Sequence, residues 1–149
     1  MKKLALLSLS IIGSLFIVSC SDDDNTVDTT KPTIEIVSPT DHQEVEPGSS
    51  FFFKANLSDD SGLASYKIEV HYAEDGHEHK KTFAEEFVFN VSVEVPGQVK
   101  TFSAEETIDV PETAKEGHYH IGITVLDTFG NQNQQFTEIY IGHDSDHDH

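Results

Sequence analysis

Between residues 33 and 141 apolar and polar positions alternate in short runs, separated by clusters of turn residues. A period of two puts successive side chains on opposite faces of a β-strand. "TIEIVS" (33–38) is the first such run, ended by Pro39. "SFFFKANL" (50–57) sets Phe51, Phe53, Ala55 and Leu57 against Phe52, Lys54 and Asn56, and "SDDSG" (58–62) then turns the chain. "ASYKIEVHY" (64–72) alternates Tyr66, Ile68, Val70 and Tyr72 with Lys67, Glu69 and His71. "EFVFNVSVEV" (86–95) carries Phe87, Phe89, Val91, Val93 and Val95 on one side. "ETIDV" (106–110) is shorter and stops at Pro111. "HYHIGITVLD" (118–127) alternates Tyr119, Ile121, Ile123 and Val125 with His118, His120 and Thr124, and "QQFTEIYI" (134–141) is the last run. No segment has the 3.6-residue period of an amphipathic helix. Seven strands with one apolar face each predict an all-β fold, a seven-stranded antiparallel sandwich of two sheets.

Two local patterns narrow the topology. In "KEGHYHI" a tyrosine follows a glycine-containing turn at the start of the sixth strand, which resembles the tyrosine corner of Ig-like domains. Tyr119 is therefore expected to hydrogen-bond backbone at the corner between the fifth and sixth strands. "LDTFGN" resembles the turn before the last strand of many bacterial Ig-like modules. The cysteine pair and tryptophan of antibody domains are absent: the chain has one cysteine and no tryptophan. An Ig-like sandwich with no disulfide, resting on its apolar core alone, is the expectation.

The ends of the chain read differently. Lys2 and Lys3 precede an apolar stretch from Leu4 to Val18, the length of a signal-peptide core and short for a membrane-spanning helix. "IVSC" resembles the lipobox of bacterial lipoproteins, which implies cleavage after residue 19 and lipidation of Cys20. The "SDDDN" that follows resembles the acidic signal of surface-exposed outer-membrane lipoproteins. Residues 20–31 are then a polar tether, 32–142 the folded domain and 143–149 ("GHDSDHDH" from Gly142 on) an Asp/His-rich tail expected to be disordered. With Cys20 lipidated, no thiol is left for catalysis or metal binding. Loss of residues 1–19 removes Lys2 and Lys3 and no acid, taking the formal charge from −18 to −20. Such a surface disfavours nucleic acid and anionic lipid and attracts cations.

Candidate chemistry lies in the nine histidines. In an Ig-like sandwich the third and sixth strands are antiparallel neighbours, so the end of one lies beside the start of the other. With Tyr72 and Tyr119 inward, His71, His118 and His120 point outward on one sheet face. The loop leaving the third strand carries His77 and His79. His118-x-His120 and His77-x-His79 have the spacing at which two imidazoles on an extended segment lean onto one ion. Glu69, Asp75 and Glu78 lie close enough in sequence to complete or orient the shell. An imidazole and carboxylate set suits a divalent transition metal: zinc first, with copper(II) or nickel open. The tail histidines His143, His147 and His149 read as a scavenging or solubilising tract. His42, in "PTDHQ", reads as a turn residue.

"KPTIEIVSPTD", "GLASYKIEVHY…DGHEHK" and "EGHYHIGITVLDTFGN", spanning roughly residues 31–142, resemble a family of small Bacteroidetes lipoproteins known as domain of unknown function 4625. That resemblance implies the same sandwich on an outer-membrane lipid anchor, and it places family histidines at His71, His77, His79 and His120. His118 rests on strand position alone. The resulting expectation is a lipoprotein that captures, buffers or delivers a divalent transition metal, with an outer-membrane transporter or another lipoprotein as partner. A metal-independent Ig-like module that contacts a glycan or a lipoprotein stays open, as does haem capture. No triad, cleft-forming insertion or Gly-rich phosphate loop points to an enzyme.

Overall fold

The computed structural model describes residues 27–73 and 85–143. Within them lie eight strands: β1 (Thr33–Ser38), β2 (Gln43–Val45), β3 (Ser50–Ser58), β4 (Leu63–Tyr72), β5 (Phe89–Glu94), β6 (Thr101–Asp109), β7 (Gly117–Asp127) and β8 (Gln132–Ile141). A three-stranded sheet of order β1-β3-β6 packs on a five-stranded sheet of order β2-β8-β7-β4-β5. No helix among the described residues is long and apolar enough to cross a membrane.

The core is what the alternation predicts. Phe51, Phe53, Ala55 and Leu57 of β3 are buried, with Ala104 and Ile108 of β6 beside them. Tyr66, Ile68 and Val70 of β4, Tyr119 to Val125 at alternate positions of β7, and Ile139 and Ile141 of β8 face them from the wider sheet. Each of the larger aliphatic and phenylalanine side chains among them contributes roughly 1.5–3 kcal/mol through apolar burial. β5 lies at the edge of the five-stranded sheet, and its Phe89, Val91 and Val93 are only half-buried.

Tyr119 makes the predicted corner. Its hydroxyl donates to the Lys115 carbonyl at 2.8 Å and accepts the Phe87 N–H at 3.3 Å. Burial pushes its phenol pKa up, so the group stays a neutral donor. Gly117, one residue before His118, has φ +140°, and a Cβ there would stand 2.9 Å from the Tyr72 ring. A side chain would push β7 off β4 at the point where the histidines begin.

Three details correct the sequence reading. There are eight strands among the described residues, not seven: β2, three residues long, is too short to show a period and pairs parallel with β8, so the sandwich is not wholly antiparallel. The run expected at 106–110 is the end of a longer strand, β6, that starts at Thr101. Glu106, half-buried on the inward side of its register, breaks the apolar pattern there. The run expected from residue 86 enters the ladder only at Phe89, while Phe87 turns under Tyr119 with ring centroids 6.2 Å apart.

Candidate metal centre

The backbone register assembles one polar row across three strands. His71 of β4 is paired with His120 of β7, and His120 with Glu138 of β8. Paired residues in adjacent strands share a face, and the strands are about 4.8 Å apart. His71 and His120 meet edge to face with ring centroids 5.6 Å apart. Two residues back along β7, His118 lies on the same outer face, opposite Tyr140, at 5.0 Å between rings. His71, His118 and His120 therefore share the outer face of the sheet, and of the three only His118 belongs, among the described residues, to a set of donors that all fall within 4.8 Å of one another.

Glu138 is the hub of the cluster. Its Oε1 is 2.7 Å from His118 Nδ1 and 3.1 Å from His42 Nδ1, while its Oε2 is 3.3 Å from His120 Nε2. One carboxylate thus takes three imidazoles. His42, read from the sequence as a turn residue, is brought in by its backbone: its N–H donates to the Glu138 carbonyl at 2.8 Å. Asp41 locks the same turn by accepting the Glu138 N–H at 3.1 Å and the Thr137 hydroxyl at 3.3 Å. Side-chain exposures of 24% for Glu138 and 29% for His118 leave the hub half-sheltered, while His42 and His120 reach solvent.

Nitrogen and carboxylate donors of His42, His118 and Glu138 fall within 4.8 Å of one another. Two ligands of a tetrahedral zinc, each at 2.0–2.2 Å, are about 3.3 Å apart. The His42–Glu138 and His120–Glu138 separations are already near that value. The 2.7 Å between His118 and Glu138 is a direct hydrogen bond that an ion would replace. The arrangement can hold a borderline cation with nitrogen and oxygen ligands, at the cost of displacing imidazole protons.

The other sequence-predicted residues fall elsewhere. Glu69 sits on the outer face of β4, but its carboxylate is held by Lys67 Nζ at 2.6 Å and, among the described residues, makes no hydrogen bond to an imidazole. His77, His79, Asp75 and Glu78 lie outside the described residues, as do Cys20, His147 and His149. The stem of the 74–84 segment is fixed beside the cluster: Ala73 N–H donates to the His118 carbonyl at 2.9 Å. His143 Nδ1 is 3.0 Å from Glu44 on β2. Glu138 and His42 were the residues that sequence reasoning missed. The signal for Glu138 was its outward parity in "QQFTEIYI", legible only once β8 is paired to β7.

Fold and cluster together define a small β-sandwich domain with a histidine–carboxylate group on the outer face of its larger sheet. The chain belongs to the family described as Domain of unknown function (DUF4625), whose model matches residues 18–142. No curated protein matches it. Among solved structures it is similar to the fibronectin(III)-like modules of Clostridium thermocellum CbhA, at 14% identity and a TM-score of 0.45, covering 73% of this chain and 94% of that one. A DUF4466 family protein from Parabacteroides merdae matches at 9% identity and a TM-score of 0.49, covering 71% of this chain and 42% of that one. OgpA from Akkermansia muciniphila matches at 12% identity and a TM-score of 0.46, covering 76% of this chain and 30% of that one. The chain thus spans less than half the length of the latter two proteins.

Proposed function

We propose that this protein is a membrane-anchored lipoprotein that binds a divalent transition metal of the zinc class on the outer face of its five-stranded sheet. The observation that carries the reading is the sharing of Glu138 by His42, His118 and His120. Glu138 with His42 and His118, whose donors lie within 4.8 Å of one another, is a set suited to zinc or copper(II), while His120 reaches the second Glu138 oxygen. The formal charge, −18 for the full sequence and more negative once Lys2 and Lys3 are lost, draws cations to it. Exposure of the cluster suits capture and hand-over to a transporter or another lipoprotein better than permanent structural retention. The lipidated Cys20 would join the sandwich ahead of β1. His118 lies at the start of β7, nine residues from its other end, about 30 Å away at 3.3–3.4 Å per residue. β1 pairs with β3 from Thr33↔Ser58, beside the β3–β4 turn, and Leu63 after that turn pairs with Asp127 at the end of β7. Residues 27–32 therefore lead into β1 at the end of the sandwich remote from the histidines.

Elemental analysis and zinc titration of untagged protein test this. Wild type should bind at least one zinc and melt higher in zinc than in chelator, because an ion held only by the folded state stabilises it. His118→Ala with Glu138→Gln should lower zinc affinity by a hundredfold or more. A melting temperature indifferent to zinc, with unchanged metal content in the double variant, would instead leave an interaction module that needs no metal.

A further inference from the structure

A second group of potential ligands gathers at the opposite end of the sandwich, and its chemistry differs. Asp28 precedes β1, Asp59 follows β3 and Asp127 ends β7; a carboxylate oxygen from each falls within 4.8 Å of the others. Asp59 is 8% exposed and Asp127 1%. Asp59 Oδ1 is used by the turn it starts, accepting Ser61 N–H at 2.9 Å and Gly62 N–H at 2.8 Å. Its Oδ2 is buried without any hydrogen-bond partner. Asp28 is only half-buried: hydrogen bonds from the Ser61 side chain and from the Thr30 N–H, which reaches its Oδ1 at 2.8 Å, hold its carboxyl below the usual value, while its Oδ2 is enclosed with no partner of its own. Asp127 Oδ1 takes the Phe129 and Asn131 N–H groups at 2.7–2.8 Å, while its Oδ2 accepts only Asn131 Nδ2 at 2.7 Å and keeps a lone pair free. Asn131 Nδ2 also reaches the Asp28 carbonyl at 3.0 Å, which fixes the N-terminal segment against the β7–β8 turn. Among the described residues, none of the three aspartates forms an ion pair with a lysine or histidine.

Three carboxylates brought together with two buried oxygens unpartnered form an arrangement that folding disfavours unless a positive charge joins them. We propose that Asp28, Asp59 and Asp127 bind a calcium ion that ties the segment before β1 to the β3–β4 and β7–β8 turns. The ligand set is all oxygen, which selects a hard cation over zinc or copper. Two oxygens that ligate one calcium at 2.3–2.6 Å stand at most about 5 Å apart, and all three carboxylates meet that limit. Magnesium needs shorter, near-octahedral bonds and keeps more of its water. Because Asp28 belongs to the segment that leads into β1, the ion stiffens the junction through which the domain is carried.

Calcium titration of the untagged protein tests the site, with melting in calcium chloride against EGTA and calorimetry for stoichiometry. Calcium at about a hundred times Kd should raise the wild-type Tm by about 10 °C, with one ion per chain. Asp59→Asn should abolish the rise and, in EGTA, melt no lower than wild type, since it removes an uncompensated charge. Asp28→Asn is the second variant, in the segment outside the strands, and should weaken calcium binding tenfold or more with the sandwich intact. Glu138→Gln should keep the whole calcium shift, which separates this site from the histidine cluster. A wild-type Tm unmoved by 10 mM calcium overturns the proposal. So does a rise that persists in both aspartate variants, or an equal rise with magnesium at the same concentration.

Discussion

The two ends of the five-stranded sheet use the same kind of acid in opposite ways. At the start of β7, Glu138 is half-sheltered and both its oxygens face imidazoles. At the end of β7, Asp59 and Asp127 are buried, their partners are mostly backbone N–H groups, and two oxygens of the aspartate group have no partner. The first end is satisfied without an ion, because a carboxylate and neutral or protonated imidazoles can share protons. The second, among the described residues, has no lysine or histidine paired with its aspartates to play that part. An ion at the histidine end must displace protons, so its affinity depends on pH and its release is easy. An ion at the aspartate end completes the packing. Burial and the nature of the partners, more than the number of acids, separate a site suited to exchange from one suited to structure.

The largest test of this contrast is to remove the central acid at each end. Asp127→Ala strands two backbone N–H groups and the Asn131 amide, and should cost about 3 kcal/mol or more in urea unfolding. Glu138→Ala removes exposed pairings and should cost less than about 1 kcal/mol while abolishing most zinc binding. Equal losses would erase the distinction between the ends. Next in size is Tyr119→Phe, which removes the hydroxyl that joins Lys115 to Phe87 directly beneath the histidine row. A loss of about 1–2 kcal/mol is expected, with the calcium response of the far end unchanged. If Tyr119→Phe alters both ends alike, they are one cooperative unit with respect to ligand binding.

The smallest effect belongs to a charge pair on the other sheet, a control for both. Lys54 donates to Glu105 at 2.7 Å, and with the Ser103 hydroxyl it holds the Glu105 carboxyl below its usual value. A carboxyl lowered on folding contributes stability above its unfolded pKa and loses it as pH falls through the folded value. Glu105→Gln should therefore lower Tm slightly at neutral pH, and the difference from wild type should vanish in acid. A difference that grows in acid would reverse the sign and discard the pairing as its cause.

Much of the scaffold could be read from local pattern. The inward sets of β3, β4 and β7, the tyrosine corner and the shared outer face of His71, His118 and His120 all follow from a period of two and one strand adjacency. β2 escaped because three residues carry no period. The start of β6 escaped because Glu106 occupies an inward position. Glu138 lies 18 positions beyond His120, and His42 lies 96 before Glu138; nothing local connects them. "SDDSG" and "DTFGN" were legible as turns, and their aspartates do cap those turns, which hid the Asp59 oxygen left over.

By itself the sequence determined the strands, the faces they bury and the end of the sheet where histidines collect, because alternation and turn chemistry act over a few residues. Only the tertiary structure decided which carboxylate meets those histidines and that two buried turn aspartates meet a third from the segment before β1. Register and sheet packing act over the whole chain, and a slip of one residue in β8 would turn Glu138 to the other face.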